Sequence, residues 1–280
     1  RHDEIDLPAV TLRPEEMDPH SRRLRLVSDM DRLPLSEAQV LNARHAYYGA
    51  SSYIDERLGR LLAVLEASGR REDTLVIFTG DHGDMLGERG LWYKMCWFES
   101  AARVPMIVSF PRQLAPRRVA APVSLVDLLP TLVALARDGR SGDFADSVDG
   151  ADLLSVAADP KAAEERLVAG DYCGEGAVAP LVMLRRDRWK FVRQPGHPDQ
   201  LYDLAKDPRE LTNLAEAPEA ATVRAAFDAE CARRWDLARL REEVIASQRR
   251  RRLVQQALMT GQHKSWDHQP LEDASRKYMR

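Results

Sequence analysis

The sequence predicts a three-layer α/β domain followed by a smaller domain built on an antiparallel sheet. Apolar residues repeat with the helical period over residues 36–68. Two short runs rich in β-branched residues, DTLVIFTG (73–80) and VPMIVSFP (104–111), predict strands. Helix, strand, loop, strand and helix in succession are typical of α/β folds. After residue 160, four short apolar runs separated by turn residues predict the antiparallel sheet.

The elements of the first domain follow from local patterns. Residues 1–20 show no hydrophobic period and are predicted to form a loop. Residues 36–68 are predicted to form one long helix or a pair of helices, and Gly69 suits the position past the helix end. The two strands are predicted to be buried on both faces of a parallel sheet, because their apolar runs do not alternate. Ser124 is predicted to cap a helix over residues 124–136, which Pro130 kinks or delays.

The domain organisation follows from shifts in composition. A stretch rich in Gly, Asp and Ser is predicted to be a linker or a surface excursion. A long charged helical region covers residues 220–261, and its arginine run is interpreted as a solvated helix face or, alternatively, as a polyanion site. The predicted boundaries are 1–137 for the first domain, 138–160 for the linker, 161–245 for the antiparallel-sheet domain with its helix, and 246–280 for a C-terminal extension.

Composition excludes several classes of function. Hydrophobic residues make up 44% and charged residues 30% of the 280 residues, which is ordinary for a globular protein. The net charge of -3 gives no reason to expect a nucleic-acid or membrane partner. Three scattered cysteines argue against a disulfide framework and favour a reducing, cytoplasmic location. The chain begins with Arg1 rather than Met, so an upstream segment is expected and a signal peptide cannot be read from it.

The loop after the first predicted strand concentrates metal-type ligands. Asp81 and His82 follow that strand directly, where ligands collect in open α/β sheets. A carboxylate and an imidazole can supply two positions to a divalent cation. The alternative is that Asp-His-Gly-Asp only forms a turn.

Lys94 stands in the same loop among three large aromatic residues. Its ammonium suits sulfate or phosphate oxygens, but a surface lysine whose stem covers apolar area has the same pattern. Trp92, Tyr93 and Trp97 could form walls for a cationic ligand or could belong to the core.

Four stretches resemble the sulfatase family of the alkaline-phosphatase-like superfamily, and in particular its choline-sulfatase branch. The loop VIFTGDHGDMLGERGLWYKMCWFE resembles the C-terminal half of the family's active site. LYDLAKDPRELTNLA resembles a turn near the end of most sulfatases. GDYCGEGAVAPLVMLRRDRWKFV and the last 31 residues, from RRRLVQQ to KYMR, resemble the second domain and the extension of the choline-sulfatase branch. The resemblance implies the C-terminal part of an alkaline-phosphatase-like three-layer sandwich with a small α+β domain.

The resemblance also implies roles for individual residues. Asp81 and His82 would bind the divalent metal (calcium, or manganese or magnesium), although many sulfatases have Asn in place of His82. Lys94 would bind the sulfate and stabilise the charge that develops as the S–O bond breaks. The substrate choline sulfate carries a quaternary ammonium, for which Asp171 and Glu175 are candidate carboxylates. The candidate aromatic walls are Trp92, Trp97 and Tyr172.

The formylglycine nucleophile of sulfatases comes from a C-x-P-S-R stretch, and these 280 residues contain none. The nucleophile is therefore expected upstream, and the 280 residues are predicted to be inactive alone. An arylsulfatase, or a phosphonate monoester or phosphodiester hydrolase, is the enzymatic alternative. A non-catalytic oligomerisation or binding remnant is the other. The resemblance also implies a homo-oligomer formed through the C-terminal extension.

Overall fold

The computed structural model describes residues 4–32, 34–137, 144, 146–158 and 165–261. The helices of this part are α1 (Pro19–Val27), α2 (Glu37–Ala67), α3 (Glu99–Ala102), α4 (Leu128–Ala136), α5 (Leu153–Ala158), α6 (Ala221–Arg234) and α7 (Leu237–Leu258). The strands are β1 (Val76–Thr79), β2 (Met106–Ser109), β3 (Leu167–Tyr172), β4 (Leu181–Arg186), β5 (Trp189–Arg193) and β6 (Gln200–Asp203). Residues 1–234 form one compact unit and residues 235–280 a second.

The second sheet is the element that the sequence predicted best. Strands β3, β4, β5 and β6 form a four-stranded meander in which every neighbouring pair is antiparallel. All four predicted runs are confirmed as strands. The three central residues of β5 and the first four of β4 are buried, so this sheet carries much of the core of the first unit.

The first sheet differs from its prediction. Strands β1 and β2 form the predicted pair of short strands, but they pair antiparallel, with Val76 opposite Ser109 and Thr79 opposite Met106. Residues of β1 are half-buried and Ile107 of β2 is exposed. The prediction of parallel strands buried on both faces was therefore wrong for this pair. A run of apolar residues reports a preference for burial and contains no information about strand direction.

The structure refines three predictions of local structure: the helix over residues 36–68, the loop over residues 1–20 and the helix over residues 124–136. The region over residues 36–68 is a single helix, α2, which Ser36 caps by accepting from the backbone N–H of Gln39. The predicted loop over residues 1–20 ends earlier than expected, because Asp18 caps α1 and Pro19 occupies its first turn. Helix α4 begins late, at Leu128, as Pro130 in its first turn predicted.

Part of the predicted linker packs on α4. The buried carboxylate of Asp127 accepts hydrogen bonds from the backbone N–H of Ser124 (2.7 Å) and of Ala151 (2.9 Å), and it pairs with Arg166. The backbone N–H of Leu153, at the start of α5, donates to the Thr131 hydroxyl at 2.8 Å. Ala151 and Leu153 lie within the predicted linker, so these contacts hold that part of it against α4 in the first unit. The domain boundaries themselves stay a prediction.

The charged C-terminal region contains two helices rather than one. Helix α6 ends at Arg234, and Asp236 caps α7 by accepting from the backbone N–H of Arg239 at 3.0 Å. Among the described helices, none combines the length and the apolar character needed to cross a membrane.

Candidate active site

The loop after β1 is held against α3 by a glycine. A Cβ atom at Gly83 would lie 2.0 Å from the backbone oxygen of Ser100, so no other residue fits there. The backbone N–H of Gly83 donates to the Ala101 carbonyl at 2.8 Å. This close approach fixes the backbone immediately after Asp81 and His82 while it leaves both side chains exposed.

Asp81 and His82 place two acceptor atoms side by side. The Nδ1 atom of His82 lies 2.8 Å from the Gly83 carbonyl, which can only accept, so Nδ1 carries the hydrogen. In the neutral ring, Nε2 then presents a lone pair, and it lies 3.3 Å from Oδ2 of Asp81. Two facing acceptors need a proton or a cation between them, so this pair fits a divalent metal.

The environment keeps the Asp81 carboxylate charged. Hydrogen bonds from the backbone N–H groups of His82 and of Asp81 itself lower its pKa, and the charge of Lys94 adds a smaller contribution. The side chain of Asp81 is 84% exposed, so nothing in the described structure covers it. A charged, accessible carboxylate is what a hard cation requires.

The other two acids of the loop have structural roles. The Asp84 carboxylate accepts from the backbone N–H of Leu86 at 2.8 Å. Glu88 accepts from the backbone N–H groups of Ala9 and Val10, both at 3.0 Å, and so holds the N-terminal segment on the loop. Within the described residues, no group of three or more His, Cys, Asp or Glu side chains is arranged to hold a metal. Asp81 and His82 are therefore a partial ligand set.

Lys94 is an exposed cation of the active-site loop. Its charge contributes to lowering the pKa of Asp81 and also that of Glu175, although it is the smaller contribution in both cases. Lys94 is therefore near enough to both carboxylates to favour their charged forms weakly.

Tyr172 organises the loop after β3. Its hydroxyl donates to the Glu175 carboxylate at 3.0 Å. Hydrogen bonds from the backbone N–H of Glu175 and from Tyr172 lower the pKa of Glu175 before the charge of Lys94 is added. Asp171 is exposed on β3, and its carboxylate makes no hydrogen bond or ion pair within the described structure. Both candidate acids are therefore accessible, and Glu175 is the one whose position is fixed.

The two candidate tryptophans have packing roles. The Trp97 indole N–H donates to the Leu181 carbonyl at 3.0 Å, and a Cβ atom at Gly170 would lie 2.6 Å from its ring. Trp97 therefore ties the active-site loop to the second sheet. The Trp92 ring packs near Gly87. The core-packing interpretation describes these contacts, and a role for either ring as a wall of the substrate site stays a prediction.

One residue that reasoning from sequence missed touches the Lys94 loop. His20, in the first turn of α1, lies 2.7 Å from the carbonyl of Met95 through its Nε2 atom. The pair Asp18–Pro19, a cap followed by proline, could have located the start of this helix. Nothing in the sequence pattern indicates the contact with residue 95.

Comparison with known families and proteins agrees with this fold and loop. The family model described as sulfatase matches residues 13–138, and that of N-sulphoglucosamine sulphohydrolase, C-terminal, matches residues 87–235. The chain therefore belongs to the sulfatase family, and its fold is the C-terminal part of an alkaline-phosphatase-like fold. A third family model, choline sulfatase enzyme C terminal, matches residues 242–280.

Individual relatives refine the comparison. Choline-sulfatase of Rhizobium meliloti (strain 1021) is 42% identical over 270 residues, which are 95% of this chain and 52% of that protein. Arylsulfatase K of Danio rerio is 33% identical over 64% of this chain and 35% of its own length. The structure of a phosphonate monoester hydrolase of Agrobacterium radiobacter has a TM-score of 0.66 and 26% identity, and it covers 82% of this chain and 51% of that one. The chain spans about half the length of the first and third of these relatives, and about a third of the second.

Proposed function

We propose that the protein to which this chain belongs hydrolyses choline sulfate to choline and sulfate. The structural observation behind this proposal is the loop after β1, which exposes the side chains of Asp81, His82 and Lys94. A sulfate ester of choline has an anionic end for the lysine and a cationic end for a carboxylate. The similarity to choline-sulfatase over 95% of the chain supports the same substrate class.

In this proposal each residue of the chain has a defined task. Asp81 and His82 hold a divalent metal, with calcium as the first choice and manganese or magnesium as alternatives. When bound, that metal supplies Lewis-acid polarisation of a sulfate oxygen. Lys94 binds the sulfate and stabilises the negative charge that grows on the oxygens during S–O cleavage. Glu175, held by Tyr172, and Asp171 attract the quaternary ammonium, and Trp92 and Trp97 are candidate walls of that site.

The nucleophile is proposed to lie outside these residues. The sulfatase resemblance implies a formylglycine made from a C-x-P-S-R stretch, which the 280 residues do not contain. We therefore expect residues 1–280 alone to show no turnover of choline sulfate, and turnover by them would contradict this assignment. We also propose that the protein is a homo-oligomer joined through the C-terminal extension.

A second candidate function is hydrolysis of an aryl sulfate or of a phosphonate monoester or phosphodiester. It is favoured by the similarity to arylsulfatase K and to a phosphonate monoester hydrolase. Neither of these substrate classes carries a quaternary ammonium, so the two accessible acids, Asp171 on β3 and Glu175 in the loop after it, distinguish the candidates.

The test compares substrates and variants in the complete protein. We expect Glu175→Gln and Asp171→Asn to raise KM for choline sulfate by about tenfold or more. At about 4 Å, a carboxylate attracts a cation by about 1–4 kcal/mol, depending on solvent exposure, and about 1.4 kcal/mol corresponds to tenfold. The kcat/KM for an aryl sulfate should stay within about threefold, since that substrate leaves both acids without a cationic partner.

The matched control is Asp187→Asn, an exposed acid in the turn between β4 and β5, which should change neither substrate's kinetics. The second candidate would be established if the complete protein prefers the aryl sulfate or the phosphonate ester to choline sulfate, and if Glu175→Gln and Asp171→Asn leave its kinetics unchanged.

A further inference from the structure

The backbone on both sides of Lys94 has an unfavourable conformation. Tyr93 has φ of 68° and Met95 has φ of 36°, although neither is glycine. Side chains disfavour this left-handed region, so two such residues around one lysine need contacts that hold them. Their conformation determines the direction in which the Lys94 side chain leaves the loop.

Two hydrogen bonds hold this segment. The Tyr93 carbonyl accepts from the backbone N–H of Met85 at 2.7 Å, which is a contact within the loop itself. The Met95 carbonyl is 2.7 Å from Nε2 of His20, which comes from α1. Since a carbonyl only accepts, Nε2 carries the hydrogen and donates it. The second contact thus depends on one side chain from a separate element.

The His20 imidazole is itself held in place. It is 4% exposed, and the backbone N–H of His20 donates to the capping carboxylate of Asp18 at 3.0 Å. Its other nitrogen, Nδ1, is buried and has no hydrogen-bond partner within the described structure. Burial is the main effect that lowers the pKa of His20, which favours the neutral ring with one hydrogen, on Nε2.

The same ring also touches the second candidate loop. Its plane meets the ring of Tyr172 edge-on, with 6.0 Å between the centroids. The hydroxyl of Tyr172 in turn donates to Glu175. One buried imidazole therefore contacts the carbonyl of Met95, next to Lys94, and the ring of Tyr172, which fixes Glu175.

We propose that His20 is a positioning residue for sulfate ester hydrolysis. It holds the carbonyl of Met95, keeps the Tyr93–Met95 backbone in its strained conformation, and so sets Lys94 relative to the β3 loop. This inference rests on the proposed function of Lys94, and His20 itself does not touch the substrate.

The kinetic test is a double-mutant cycle in the complete protein with choline sulfate. We expect His20→Leu to lower kcat by about 10- to 100-fold, the range expected when a catalytic group is displaced by about 1 Å. In a Lys94→Ala background the same substitution should lower kcat by less than about threefold, because the ammonium that His20 positions is already absent. Equal losses in both backgrounds would overturn the proposal.

Conservative variants separate the donor from the bulk of the ring. His20→Gln carries an amide N–H that can reach the position of Nε2, so it should recover most of the activity. His20→Asn is polar but shorter, and it should resemble His20→Leu. The matched control is Ser21→Ala, which removes a buried hydroxyl that donates to Asp18 in the same helical turn. It should leave kcat within threefold. A Gln variant as impaired as Asn would refute the role of the donor.

Hydrogen exchange gives a readout that does not depend on activity. Exchange of the backbone amides over residues 91–97 should increase in His20→Leu and His20→Asn, but not in Ser21→Ala or His20→Gln. If exchange over residues 91–97 is unchanged in His20→Leu, then His20 does not hold the loop, even if activity falls. If Lys94→Ala has wild-type activity, the proposed function of Lys94 is refuted. The exchange measurement then still decides whether His20 holds the backbone of this loop.

Discussion

At the scale of single residues, the active-site loop uses chemically similar acids for different purposes. One oxygen of Asp84 accepts from the backbone N–H of Leu86 at 2.8 Å, and both oxygens of Glu88 accept from backbone N–H groups at 3.0 Å. Asp81 accepts from the backbone of His82 and leaves the rest of its carboxylate in solvent. Among the described residues of the loop, Asp81 and His82 are therefore the pair whose acceptor atoms face each other without a donor between them.

This difference predicts how metal affinity responds to substitution. Asp81→Asn in the complete protein should raise the Kd for Ca²⁺ or Mn²⁺ by at least about tenfold, because it removes a charged ligand. Asp84→Asn should leave the Kd unchanged, since the amide oxygen can still accept from Leu86. Isothermal titration of the metal-stripped protein measures both. Equal effects of the two substitutions would show that the metal does not bind at Asp81.

His82 offers a second comparison at the same scale. His82→Leu removes the ligand, whereas His82→Asn retains an oxygen donor of the kind that many sulfatases have there. We expect the leucine variant to lose more metal affinity than the asparagine variant in the same titration.

At the scale of elements, a buried ionic cluster fastens α3 to the second sheet. Lys190 of β5 is 1% exposed and lies 2.9 Å from Glu99 of α3 and 2.7 Å from Glu210. The Glu210 carboxylate also accepts from the backbone N–H of Glu99 at 2.8 Å. Burial, the largest influence, raises the pKa of Glu210, which the charge of Lys190 opposes. Since α3 follows the Lys94 loop directly, this cluster fixes the end of the candidate site.

The cluster predicts an asymmetric response to mutation. Lys190→Met should lower the free energy of unfolding by about 3–5 kcal/mol, because it leaves the buried Glu210 carboxylate without its cation, whereas the half-buried Glu99 keeps Arg185 at 3.2 Å. Glu210→Gln should cost much less, since Lys190 keeps Glu99 and the amide oxygen can still accept. Urea denaturation of the complete protein measures both losses. Lys206→Met, at an exposed lysine, is the control and should change the stability by less than about 0.5 kcal/mol. If Lys190→Met lowers the free energy of unfolding no more than Lys206→Met does, the cluster does not stabilise the fold as expected.

At the scale of the whole molecule, α7 has the features of an association surface. The end of this helix exposes large apolar side chains that no described residue of its unit covers: Leu253, Val254, Leu258 and Met259. The predicted extension continues through residues 262–280, which lie outside the described residues. Exposed apolar side chains that recur on one helix are typical of an interface.

If the extension joins copies of the protein, its removal should lower the molar mass. Deleting residues 262–280 from the complete protein, or substituting Leu253 and Leu258 with Asp, should shift multi-angle light scattering toward a smaller species. Substituting the neighbouring exposed Gln255 with Asp is the matched control and should leave the mass unchanged. An intact protein that already has the mass of one chain would refute the oligomer.

The sequence by itself determined the elements whose signals are local. The four strands of the second sheet, helix α2 and the turn after β1 follow from periodicity, β-branched residues and glycine, and the structure confirms each. The sequence also identified the family, because each of the stretches that resemble sulfatases, including the loop from Asp81 to Lys94, is continuous along the chain.

Only the tertiary structure decided which residues meet across the chain. It paired β1 with β2 antiparallel, directed Glu88 to the backbone at Ala9, and placed His20 against the carbonyl of Met95. None of these contacts leaves a periodic or compositional trace, because each joins groups far apart in sequence through one hydrogen bond or one strand pairing. The sequence therefore predicts which residues belong to the candidate site, whereas the contacts that orient them form only in the folded chain.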